Sequence, residues 1–412
     1  MVYFVYLLVS ITILPFMVTS SQDNFIQTMV ARFPKEIGFF IGSSLIFSVS
    51  MFLEKTQAVL FNNKWIAVFF VLCTLHFGWL FYKPAFNIYS QWQYSMPVNS
   101  IGPLITNLFG LMKTASYFIS ILLGILLIKT LFENLSKKDW VNISKFLCWV
   151  GFILSIYSML QWFGIDQIFL SKNWHLNHSN SVVMKKDFMM TFLSHHVLSS
   201  NFIALTAPLC LMFKDMRYKI FFIVMAISIF MADSLTSFAA LAISSFAYLL
   251  FTTQFRKLIL ICVLFIVLSM FLGQKHPYFF STNSRGSLWK ESITDTIKNV
   301  PWTGFGIGSF PKKYKIGKEV VLNAHNEFVE VFNEGGFLML IIVCGYLITL
   351  SRRSIIAIFD QRNIMTICFF CGFLGLFVIS NGSFPFRFAP LATLGILYIA
   401  GLESLIGEDI NV

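Results

Sequence analysis

Ser284-Arg-Gly-Ser-Leu-Trp289, Pro301-Trp-Thr-Gly-Phe-Gly-Ile-Gly-Ser-Phe310 and Ala324-His-Asn-Glu-Phe328, the last leading into Glu334-Gly-Gly-Phe337, form the polar stretch on which the reading of this chain turns. It carries an arginine, a histidine and a glycine-rich turn, whereas the sequence on either side is apolar enough to read as membrane. Any chemistry is expected in this insert, and the fold in what flanks it.

The composition agrees. Of 412 residues, 57% are hydrophobic and 17% aromatic, and only 12% are charged. The mean hydropathy is +0.75. Soluble domains carry roughly twice that share of charge, so the class implied is an integral membrane protein. The formal charge of +11 would suggest nucleic acid in a soluble protein, but thinly spread lysine and arginine mark membrane orientation instead. The seven cysteines all fall in apolar runs and form no secreted-type disulfide framework. Cys368-x-x-Cys371 looks redox-like but reads as two small packing residues within a span.

Crossing the hydrocarbon takes about 20 apolar residues. Candidate spans lie near 2–19, 37–53, 65–82, 113–132, 144–163, 197–213, 219–232, 236–252, 257–272, 336–350, 364–380 and 388–406. The expected fold is therefore an all-α polytopic membrane protein of about 12 transmembrane helices. The first run, Val2–Thr19, lacks a basic n-region and an obvious cleavage site, so it reads as a retained span. With both termini cytoplasmic, twice as many basic residues lie in short inner loops as in short outer ones. The outer ones are Arg32, Lys35, Lys83, Lys172, Lys185, Lys186 and Arg387. The chain then reads as one membrane domain, 1–412. Its two long polar segments face outward: 164–196, and 273–335 as the main catalytic loop. Ionisable residues are nearly absent from the middles of the spans, which disfavours an ion-coupled transporter.

Six of the seven histidines fall in those outer segments. His175-x-x-His178 is at most half a metal site, and solvated loop histidines are the better reading. No His-Glu-x-x-His or Asp-x-Asp occurs, so neither a metal nor a metal-held nucleotide sugar is expected, and no cofactor is. Leu288, Trp289, Ile293 and Ile297 predict an amphipathic helix over 285–299 on or near the membrane, closed by Asn299-Val-Pro301. Arg285 then sits in a first turn, where the dipole does not favour a cation. Either an anionic partner or interfacial snorkelling explains it. Gly304-Phe-Gly306-Ile-Gly308 fails both nucleotide-loop motifs and reads as a tight turn. Lys312, Lys313, Lys315 and Lys318 make either an anion-attracting patch or a solvated face. His325, Phe328, Val329 and Phe332 share helical spacing, so His325 is expected in the first turn of a helix ending at Gly335-Gly336. It is either a neutral general base or a core histidine.

Arg285…Trp289, Pro301…Gly304-x-Gly306-x-Gly308-x-Phe310 and His325-Asn326-x-Phe328…Glu334-x-Gly336 together resemble the O-antigen ligase and polymerase superfamily of bacterial envelope enzymes. Tyr157–Asp166 and Thr191–Ser200 resemble that family's flanks of the first outer loop, so the likeness covers roughly 144–345, in order. The resemblance implies a membrane glycosyltransferase of the all-helical, GT-C-like class in the bacterial inner membrane. Such an enzyme takes a glycan from undecaprenyl diphosphate on the periplasmic face and joins it to an acceptor hydroxyl, with inversion. By match, Arg285 would hold the diphosphate and His325 would be the base, with Asn326, Glu334, Gly304 and Gly306 supporting. The family's second arginine has no match in 164–196; Lys185, Lys186 or Arg387 would stand in for it.

Ligase, polymerase and protein O-oligosaccharyltransferase share this chemistry. The compact length favours the ligase, in lipopolysaccharide biosynthesis. Its partners would be the lipid-linked glycan, a lipid A–core acceptor and membrane lipids, with no nucleic acid. A lipid-linked glycan transporter is the alternative of another class; it would need an ion-coupling residue in the spans.

Overall fold

A computed structural model describes residues 135–163, 196–252, 285–305, 310, 315–316, 319–320, 324–383, 385–387 and 389–407. The helices among them are α1 (Lys137–Trp162), α2 (His196–Cys210), α3 (Met216–Met231), α4 (Leu235–Phe251), α5 (Arg285–Asn299), α6 (Glu327–Gln361), α7 (Ile364–Gly382) and α8 (Ala389–Gly407). A single 3-10 turn, Pro385–Arg387, joins the last two. The only sheet among the described residues is an antiparallel pair, Lys315–Ile316 with Glu319–Val320.

Seven expected spans coincide with α1–α4 and α6–α8. Those near 2–19, 37–53, 65–82, 113–132 and 257–272 lie outside the described residues. Three helices, α1, α6 and α7, are long and apolar enough to cross a membrane; α2, α4 and residues Pro390–Ile406 of α8 are apolar but shorter. The sequence also explains where the helices begin. Ser136 and Asp139 close a capping box at α1, since each side chain takes the other residue's N–H. Asp215 caps α3 and Asn363 caps α7.

α2 is the centre of the bundle. Every residue from Ser199 to Cys210 is buried, and α1, α3, α4, α7 and α8 pack around it. Small residues let the helices approach: a Cβ on Gly375 would meet Ser244 Oγ at 2.8 Å, and Ser244 Oγ donates to the Cys371 carbonyl at 2.8 Å. Cys368 and Cys371 are buried free thiols, as packing residues should be. Large aliphatic side chains point out of the described bundle from α3 (Ile220, Ile223, Ile227) and α6 (Ile341, Ile348, Ile356), a surface suited to hydrocarbon.

One element is longer than its hydropathy suggests. The span near 336–350 is part of a 35-residue helix that continues to Gln361. Arg352 and Arg353 therefore lie on helix rather than in a loop. The cause is tertiary: Arg353 Nη1 pairs with Glu403 Oε2 of α8 at 2.7 Å, and Tyr346 Oη donates to Glu403 Oε1 at 3.2 Å. Glu403 belongs to the span expected at 388–406, and its partner is an arginine that hydropathy leaves outside every span.

Candidate active site

Within the polar insert, the starts of α5 and α6 rest on one end of the bundle, at the last turn of α7. α5 covers Arg285–Asn299, as the spacing predicts, and Pro301 follows its end. Its buried stripe is Leu288, Ser292 and Thr296, so it docks on the start of α6 by a mixed face. Thr296 Oγ1 accepts from Asn333 Nδ2 at 2.9 Å, while Ile297, expected on the apolar face, is 49% exposed.

Arg285 is the first residue of α5, where that helix's own dipole opposes a cation. Its Nη1 donates to the carbonyl of Gly382 at 2.9 Å. Gly382 closes α7, so the guanidinium takes a terminal carbonyl without an intrahelical partner, at the end where the dipole favours positive charge. This interhelical bond gives the cation a partner within the fold. Burial pushes the Arg285 pKa down, yet the guanidinium stays charged. Among the described residues no carboxylate forms an ion pair with it.

His325 is not in the first turn of α6. The side chain of Asn326 accepts from Phe328 N at 3.0 Å and Val329 N at 3.1 Å, which makes Asn326 the N-cap and His325 the residue before it. His325 has φ 54°, the left-handed region that few side chains enter and histidine enters more readily than most. His325 therefore lies outside the helical run that carries Phe328, Val329 and Phe332, and it is half-buried. Asn326 Nδ2 reaches the Asn381 carbonyl at 3.4 Å, so the start of α6 and the start of α5 both rest on the last turn of α7.

The glycine-rich turn has a definite task. α6 breaks at Gly336, with φ 66° and ψ −166°. An unbroken helix would pair the Asn333 carbonyl with the Phe337 N–H. Instead Phe305 N donates to Asn333 O at 2.8 Å, Phe337 N to Pro301 O at 2.8 Å and Leu338 N to Trp302 O at 3.3 Å. The turn 301–305 thus supplies the groups that the break releases, as a broken helix beside lipid requires. The two backbones meet so closely that a Cβ on Gly304 would lie 2.4 Å from the Glu334 carbonyl carbon. One on Gly336 would lie 2.4 Å from that of Trp302. Glu334 Oε1 accepts from Phe310 N at 3.4 Å, which holds the far side of the turn.

The structure therefore brings Arg285 and the His325–Asn326 segment to the last turn of α7, whereas Gly304 and Glu334 pack against each other at the break in α6, about two turns further along that helix. Gly306, Lys185 and Lys186 lie outside the described residues. Arg387 belongs to the 3-10 turn after α7, next to Phe386, whose N–H donates to Glu327 Oε1 at 3.0 Å. Sequence reasoning passed over a buried chain behind this end: Ser234, Ser200 and Ser237 are linked at 2.8 Å, Ser237 donates to Asn201 Oδ1 at 2.7 Å, and Asn201 Nδ2 donates to Ser383 Oγ at 3.3 Å. An asparagine inside an apolar helix is costly unless satisfied, which is the signal that would have found it. It also passed over Glu330, buried inside the start of α6.

Together these features describe a predominantly helical protein with apolar helices fit to cross a membrane and a candidate site, bearing Arg285 and His325, where the starts of α5 and α6 meet the end of α7. The O-antigen ligase family model matches residues 220–344, which run from α3 through α5 and the turn into α6. That match bears out the resemblance read from the motifs and supports a membrane glycosyltransferase of the O-antigen ligase and polymerase type. No curated protein matches the chain.

Proposed function

We propose that this protein is an O-antigen ligase of the bacterial inner membrane, which transfers a glycan from undecaprenyl diphosphate to a hydroxyl of lipid A–core on the periplasmic face. The acceptor oxygen attacks the anomeric carbon, and its proton passes to His325. The bond from that carbon to the diphosphate oxygen breaks, and undecaprenyl diphosphate leaves with the electron pair, against Arg285. Attack opposite the leaving group inverts the anomeric configuration. Neither nucleotide nor metal enters, and stabilisation of the departing diphosphate is the larger catalytic contribution.

The observation that carries this reading is the meeting of Arg285 and the His325–Asn326 segment at the last turn of α7, within the matched stretch. The starts of α5 and α6 both open there, and helix N-termini favour anions. Arg387 is the preferred second cation, because its neighbour Phe386 is bonded to the start of α6. Lys185 and Lys186 are the alternatives from the first outer segment. The topology that goes with this function is the one expected above: about 12 spans, cytoplasmic termini and both long segments periplasmic.

The experiment is reconstitution. Purified protein is incubated with undecaprenyl-diphosphate-linked glycan and lipid A–core, in EDTA and without nucleotide. Glycan on the acceptor supports the ligase. Elongated lipid-linked glycan with an unlabelled acceptor replaces it with the polymerase, and glycan crossing the bilayer without transfer replaces it with the transporter.

A further inference from the structure

Ala324, immediately before His325, is fully buried, so both of its main-chain polar groups need partners. Neither finds one in secondary structure. Its carbonyl accepts from the indole Nε1 of Trp289 at 2.6 Å, across from α5. Its N–H donates to Oε2 of Glu330 at 3.4 Å, from the first turns of α6. Glu330 is only 1% exposed, and a carboxylate is costly to bury without a purpose. Beneath the same peptide, Leu288, Phe310, Ala324 and Val329 form a small apolar cluster with Trp289 packed against it.

Past this clamp the chain enters the left-handed conformation of His325, and Asn326 then starts the helix. A non-glycine residue in that region persists only where its surroundings over-determine it. The two side chains on Ala324 and the cap at Asn326 supply that determination from either side.

The geometry points to Trp289 and Glu330 as positioning residues that act through His325: they fix the Ala324 peptide, and so the direction in which the imidazole is presented to an acceptor hydroxyl. This rests on His325 being the base. Arg285 is held by a separate bond, to the carbonyl of Gly382, so the donor contact and the clamp have different anchors. Glu330 acts as a hydrogen-bond acceptor, a task a glutamine also performs.

The test compares Trp289→Phe, Glu330→Gln and Glu330→Leu in the reconstituted transfer assay, with folded yield and donor KM measured for each. Trp289→Phe keeps the ring in its cluster and removes the donor; kcat falls at least about tenfold, with donor KM unchanged within about threefold. Glu330→Leu does the same, and Glu330→Gln keeps kcat near wild type. If Trp289→Phe folds poorly, the two Glu330 variants alone decide. Equal damage from Gln and Leu, a change confined to donor KM, or unchanged kcat in both Trp289→Phe and Glu330→Leu overturns the inference. Loss of activity in His325→Ala with wild-type kcat in Trp289→Phe and Glu330→Leu sinks the clamp alone. Full activity in His325→Ala sinks the base assignment beneath it.

Discussion

Two arginines hold helices together in this bundle, and they do so differently. Arg353, on the far half of α6, meets the carboxylate of Glu403 at 2.7 Å, with Tyr346 on the other carboxylate oxygen. Its charge is matched within the fold. Arg285, at the polar end, meets the carbonyl of Gly382 at 2.9 Å, and among the described residues no carboxylate pairs with it. A neutral carbonyl fixes a guanidinium in place without cancelling its charge. On the proposed function the two arginines divide the work, Arg353 holding helices together and Arg285 meeting an anion, since a planar guanidinium fork suits a diphosphate.

The sharpest break of this comparison comes from the chemistry beside Arg285. His325→Ala should lower kcat by roughly 100- to 10,000-fold, the range for losing a general base, with protein yield unchanged. Loss of the protein itself would make His325 structural. Arg285→Ala should cost about 100-fold or more in transfer, and Arg285→Lys should recover only part of that, since an ammonium keeps charge without the fork. Both are read as kcat/KM on purified enzyme.

A different failure is expected at the helix break. Gly336→Ala would place a Cβ 2.4 Å from the Trp302 carbonyl carbon at a φ of 66°. The strain is about 1–3 kcal/mol before any clash is counted. Reduced yield and a lower melting temperature should appear before any specific kinetic effect. The smallest change belongs to the matched pair. Glu403→Gln should lower stability by on the order of 1 kcal/mol, because the pair is partly exposed, and leave kcat/KM within about twofold.

The same contrast explains what the sequence could reveal. α5 was legible to its ends, because Leu288, Trp289 and Ile293 repeat at helical spacing and Pro301 stops the chain. The break at Gly335-Gly336 was legible from the paired glycines. The groups that satisfy the break were not, since the turn 301–305 reaches Asn333, Phe337 and Leu338 only through tertiary contact. The carbonyl partner of Arg285 is equally distant in sequence. His325 was placed on the helix because spacing alone cannot tell the residue before a cap from the first turn; the Asn326 side chain decides that. Glu403 was passed over because a lone acid near the end of an apolar run gives no hint of the arginine facing it. Local periodicity thus found the elements, and long-range hydrogen bonds arrange the candidate site.

The most direct test sets the two arginine sites side by side. Transfer from undecaprenyl-diphosphate-linked glycan to lipid A–core is measured for wild type, Arg285→Ala and Glu403→Gln, at matched amounts of folded protein, in EDTA. The expected result is transfer by wild type and Glu403→Gln, and its loss in Arg285→Ala despite normal folding. Wild-type transfer in Arg285→Ala would contradict the reading of its unmatched charge as the donor's anchor.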